Sequence, residues 1–162
     1  MAMVYLGLGS NIDPEENLRL GIGELRRRYG ELTLSNTYQN AAVGFEGEDF
    51  LNLVVGFESE ADPAAIHEHI EAIHKMAGRQ RGEDKFSARS LDIDLLLYGD
   101  LVDPDPPLRL PRSDVLEYDF VLRPLSEIAP EYVHPVTGRT LADHWQECDT
   151  GGHPLTRVDV TL

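Results

Sequence analysis

Apolar and small residues alternate over residues 3–9, the period of a buried strand. Asp13-Pro14-Glu15-Glu16 follows with an N-cap residue, a proline at N1 and a capping-box glutamate, which predicts a helix over about residues 14–29. Leu18, Ile22 and Leu25, spaced by four and three, give that helix one core-facing stripe. Arg26, Arg27 and Arg28 near its C-terminus suit the macrodipole and read as solvent contacts. β-favouring residues at 32–38 and 50–58 predict two strands, and the segment between them, with Gly44 and Gly47, makes residues 39–49 a candidate lid. Asp62 as N-cap, Pro63 at N1 and Gly78 past the end bracket a second helix with Ile66, Ile70 and Ile73 as its stripe. The short apolar run at 91–99, closed by Gly99, has the length of a central strand. Beyond it come proline-rich connections over 104–111, a short helix near 125–129, and a last helix from about Thr140 with Asp143 at the capping-box position.

The order strand, helix, strand, strand, helix, strand fits an α+β, ferredoxin-like βαββαβ core with C-terminal additions: an antiparallel sheet with helices packed on one face. An open α/β sheet is the alternative. The 162 residues, 41% of them hydrophobic, fall in the size range of a single domain, expected to span 1–162. A lone cysteine, Cys148, and the lack of any apolar run of membrane-spanning length lead to the expectation of a cytoplasmic protein with no membrane partner. No targeting signal is apparent at the N-terminus. Twenty-nine acidic against fourteen basic residues give a net charge of −15, which opposes a nucleic-acid partner and means that an anionic ligand needs a local cationic site.

Two aspartates inside an otherwise apolar strand demand a reason. Side chains at i and i+2 share a face, so Asp92 and Asp94 stand side by side while Ile93 and Leu95 pack behind them. Adjacent carboxylates repel unless a cation lies between them, and Mg²⁺ suits the pair: it takes one or two carboxylates, keeps waters and completes its shell with substrate phosphates. The competing reading is a frayed strand end with one aspartate paired to an arginine. Arg79, Arg81, Lys85 and Arg89, offset there only by Glu83 and Asp84, supply the local cationic site upstream and can clamp phosphate oxygens, against a competing reading as a solvated loop. Gly7-x-Gly9-Ser10-Asn11 resembles a phosphate-cradling turn, but it lacks a third glycine and a P-loop lysine and reads as a plain tight turn. His67, His69 and His74 diverge around their helix and read as mostly solvated rather than as zinc ligands.

Ser90-Leu91-Asp92-Ile93-Asp94-Leu95-Leu96-Leu97-Tyr98-Gly99, preceded by Gly78-Arg79-x-Arg81 and Arg89, resembles the 6-hydroxymethyl-7,8-dihydropterin pyrophosphokinases of folate biosynthesis. Gly9-Ser10-Asn11, Phe50-Leu51-Asn52 and Arg123-Pro124-Leu125-x-Glu127-Ile128-Ala129-Pro130 extend the resemblance over roughly residues 3–145. It implies a ferredoxin-like fold and transfer of pyrophosphate from ATP to the pterin hydroxymethyl oxygen, with AMP released and two Mg²⁺ ions held by Asp92 and Asp94. It further implies that Arg79, Arg81, Lys85 and Arg89 act on the triphosphate with those aspartates. Arg79, Arg81, Arg89, Ile93 and Arg112 would bind the nucleotide, and Asn40, Val43, Phe50, Asn52, Phe86 and Phe120 the pterin. Within that set Asn52 would hydrogen-bond the pterin, Phe120 would stack on it, and Phe86 would replace the family's mobile-loop tryptophan. A monomer is the default state.

The chain departs from the family pattern at Asn40-Ala41-Ala42-Val43, at Phe86-Ser87-Ala88, at His74 in place of a glutamate, and at Arg112-Ser113 in place of a histidine-tyrosine pair. These departures leave two alternatives: a diverged paralogue acting on a related pterin, and a non-catalytic nucleotide- or pterin-binding module.

Overall fold

A computed structural model describes residues 1–40, 49–78, 91–148 and 155–162. The chain begins with strand β1 (Ala2–Ser10), helix α1 (Pro14–Tyr29) and two short strands, β2 (Thr33–Leu34) and β3 (Thr37–Asn40). Strand β4 (Phe50–Ser59), helix α2 (Pro63–Met76) and strand β5 (Asp92–Tyr98) follow. Helices α3 (Asp114–Glu117), α4 (Asp119–Ile128) and α5 (Leu141–Glu147) precede a last strand, β6 (Thr156–Val158). Among the described residues the strands form one sheet in the order β5-β1-β4-β3-β6, with β2 also on β4, and every ladder is antiparallel.

The helices predicted over residues 14–29, after Asp62 and from about Thr140 form where the pattern placed them. Asp62 caps α2 by accepting from the Ala65 N–H at 2.8 Å, and Thr140 caps α5 by accepting from the Asp143 N–H at 3.1 Å. Asp13 does not cap α1 with its side chain: it lies at φ 42°, in the left-handed region. The entry to α1 is tied instead by Asn17 Nδ2, which donates to the Ile12 carbonyl at 2.7 Å. The predicted strand at 32–38 is split into β2 and β3. Ser35 leaves the ladder between them, its N–H donating to the Val54 carbonyl at 2.9 Å.

The expectation of helices on one face holds for α1 and α2 of the core, but the C-terminal additions cover the other face. Leu18, Ile22 and Leu25 of α1 and Ile66, Ile70 and Ile73 of α2 pack on Val4, Leu6, Leu8 and Ile93. Val115, Val121, Leu122, Leu125 and Leu141 of α3–α5 form a second core with Tyr5, Val54, Leu96 and Leu97 on the opposite face. The helix expected near 125–129 therefore begins earlier, at Asp119. Pro124 has no N–H to offer the Phe120 carbonyl, a cost of ~3 kcal/mol in a helix interior. Burial of Val121, Leu122 and Leu125, at ~1.5–3 kcal/mol each, exceeds it. No described helix is long and apolar enough to cross a membrane.

Candidate active site

The second face of the sheet is hollow where β1 has no side chains. Ladder pairing sets Gly7 opposite Asp94 and Gly9 opposite Asp92, and on the other side it sets Gly9 opposite Asn52. One row of the sheet therefore reads Asp92, Gly9, Asn52. A Cβ on Gly9 would lie 2.6 Å from Asn52 Oδ1, and one on Gly7 would lie 3.4 Å from Leu96. The Gly7-x-Gly9 pattern is thus the floor of a cavity within β1, not the tight turn expected from sequence, because alternation turns both glycines to the same face.

An open cavity lies over this glycine floor. Phe50, Phe120 and Tyr118 line it together with Asn40, Asn52, Asp92 and Asp94. Tyr118 and Phe120 stack with centroids 5.0 Å apart and planes at 21°. Asn52 Nδ2 donates to Asn40 Oδ1, so the two buried amides orient each other. Flat aromatic walls with paired amides suit a planar, hydrogen-bonding ring.

A second groove lies beyond β5, lined by His67, Glu71, Ile93, Leu108 and Arg112 among others. Among the described lining residues, Asp94 alone belongs to both cavities. Arg112 reaches it: Nη2 lies 3.3 Å from Asp94 Oδ1, and Nε lies 3.7 Å from Asp114 Oδ1. Ile93 turns its side chain into the helix-covered core, while its N–H donates to His74 Nε2 at 2.8 Å. The solvated reading of His74 is therefore overturned: the residue is 4% exposed. His69 is also engaged, through Tyr29 Oη at 2.5 Å.

Among the described residues no three His, Cys, Asp or Glu side chains form a ready metal cage. Asp92 and Asp94 nonetheless offer half-buried carboxylates on one face, a donor set that fits a hard ion completing its shell with water and phosphate.

The family profile of 7,8-dihydro-6-hydroxymethylpterin-pyrophosphokinase (HPPK) matches residues 5–130. The chain belongs to the HPPK family. Similar relatives include the 2-amino-4-hydroxy-6-hydroxymethyldihydropteridine pyrophosphokinase of Porphyromonas gingivalis, 40% identical over 143 residues, covering 83% of this chain and 95% of that protein. The enzyme of the same name from Aquifex aeolicus is 34% identical over 145 residues, 88% of this chain and 90% of that one. The structure of wild-type Plasmodium falciparum HPPK-DHPS superposes with a TM-score of 0.70 over 90% of this chain at 13% identity, a likeness of fold alone. The present chain spans 44% of that longer one.

The HPPK match encloses the residues that form both cavities. Of the site residues expected from sequence, Asn40, Phe50, Asn52, Asp92, Asp94 and Phe120 line one cavity, and Ile93 and Arg112 border the other. Val43, Arg79, Arg81, Lys85, Phe86 and Arg89 lie outside the described residues, as does most of the candidate lid. Tyr118, Asp114, the glycine floor and the His74 contact do not stand out in the sequence. Tyr118 is two residues from Phe120, and that spacing was a usable signal. The other three depend on strand register and helix placement.

Proposed function

We propose that this chain catalyses the HPPK reaction: transfer of pyrophosphate from ATP to the hydroxymethyl oxygen of 6-hydroxymethyl-7,8-dihydropterin, with release of AMP. The observation that carries this reading is Asp94, shared between an aromatic, amide-lined cavity and a groove bordered by Arg112. A pterin fits the first and a nucleotide the second, and the two would meet at the aspartates. The order β5-β1-β4-β3 with α1 and α2 on one face supports a ferredoxin-like core, to which α3–α5 and β6 are additions.

Asn52 and Asn40 would orient the pterin edge, and Phe120, backed by Tyr118, would stack on its ring. That placement converts attack on the β-phosphorus into an effectively unimolecular step, with AMP as the leaving group. Asp92 and Asp94 would hold two Mg²⁺, which when bound neutralise the phosphate charge. Arg112 would give up part of its pairing with Asp94 and turn its guanidinium to phosphate oxygens. The reading is tested by AMP release from ATP and Mg²⁺ with and without the dihydropterin: acceptor-dependent AMP is expected, and its absence from folded protein would overturn the proposal.

A further inference from the structure

β5 carries both aspartates yet ends the described sheet, with β1 as its strand neighbour on one side. An edge strand leaves outward N–H and C=O groups that the rest of the fold has to hold. Among the described residues two contacts from outside the sheet do so on either side of Asp94. The Arg112 N–H donates to the Leu96 carbonyl at 2.9 Å, and the Ile93 N–H donates to His74 Nε2 at 2.8 Å. His74 sits in the last turn of α2, one residue after the buried Ile73. An imidazole nitrogen that accepts from an amide carries no proton, so the proton of the neutral ring lies on Nδ1, which faces Glu71 Oε1 at 3.3 Å. Ile93 is flanked by Asp92 and Asp94, and a shift of its peptide moves both carboxylates together.

We infer that His74 is a positioning residue that locks the backbone between Asp92 and Asp94, so that the two carboxylates present a fixed pair of oxygen ligands to divalent cations. The inference rests on the reading of those aspartates as metal ligands. Metal sites tolerate only about 0.5 Å of ligand displacement, and groups that orient the ligands tune affinity about 10–100-fold. Packing of α2 on Ile93 and Leu95 carries the ring to the strand edge, so the helix holds the backbone between the aspartates through this hydrogen bond as well as through its apolar stripe.

The test compares His74→Leu, which removes the acceptor, with His74→Gln, whose Oε1 reproduces the reach of Nε2. Mn²⁺ binding in the presence of a non-hydrolysable ATP analogue is read by electron paramagnetic resonance, and ¹⁵N shifts of the wild-type imidazole give its tautomer. His74→Leu should weaken Mn²⁺ at least tenfold and raise the Mg²⁺ needed for AMP release, with the dihydropterin KM unchanged, while His74→Gln restores both. Wild-type Mn²⁺ affinity in folded His74→Leu, or a protonated Nε2 in the wild type, would overturn the inference. The tautomer measurement decides the matter if His74→Leu does not fold. A wild type that binds Mn²⁺ normally but forms no AMP would remove the proposed activity and leave the positioning role standing.

Discussion

Asp94 is reached from both cavities and by the Arg112 guanidinium, so its carboxylate carries more of the proposed chemistry than of the fold. Its substitution separates the two. Asp94→Ala should lower turnover by about 10²–10³-fold or more, the scale of losing an electrostatic contact to the transition state. Stability should change by no more than about 1 kcal/mol, since the Arg112 pair is partly exposed. Steady-state AMP formation and urea unfolding check the two halves. Gly9 is the opposite kind of residue, important for the atoms it lacks. In Gly9→Ala the new Cβ would meet Asn52 Oδ1 at 2.6 Å and push that amide off Asn40. The dihydropterin KM should rise about tenfold, one hydrogen bond's worth, with the ATP KM nearly unchanged. The aspartates were legible in sequence because two charges in an apolar run are costly without a purpose. Gly9 was misread as a turn because only the ladder reveals what stands opposite it.

At the scale of elements, α1, α2, β1 and β5 follow from local pattern: caps, prolines and stripes act within a few residues and need no distant partner. Asp62→Ala tests one such signal. It removes the acceptor for the Ala65 N–H and should cost about 1 kcal/mol, lowering Tm by about 2–4 °C in a thermal melt. α4 was less legible. A proline at its sixth position argues against helix, and only burial of Val121, Leu122 and Leu125 against the sheet overrides that local preference. The C-terminal strand β6 was not anticipated either. It pairs Thr37 with Val158 and Tyr38 with Arg157, covering the outer edge of β3 across more than a hundred residues of sequence.

Across the molecule, the charge of −15 places any anion site under a repulsive background and requires the cations near the site to act locally. Stability carries its own pH signature away from the site. Burial, reinforced by His144, pulls the His134 pKa below its ordinary value, and its Nδ1 accepts from the Val136 and Thr137 N–H groups at 3.2 and 3.3 Å. The unfolded chain binds this proton more readily, so the stabilisation is present above about pH 6.5 and is lost as pH falls toward the lowered folded pKa. Tm should therefore drop between pH 7.5 and 5.5, and His134→Asn, which keeps an acceptor at the Nδ1 position, should reduce that drop in melts across the range. Taken alone, the sequence determined the main helices, the principal strands and the aspartate pair, because periodicity, capping and motif spacing act over short stretches of chain. Tertiary structure decided that helices cover both faces of the sheet, that two glycines hollow out a cavity beside the aspartates, and that His74 grips the strand between them. Each of these depends on strand register and helix packing, which join residues far apart in the chain and leave no local signature.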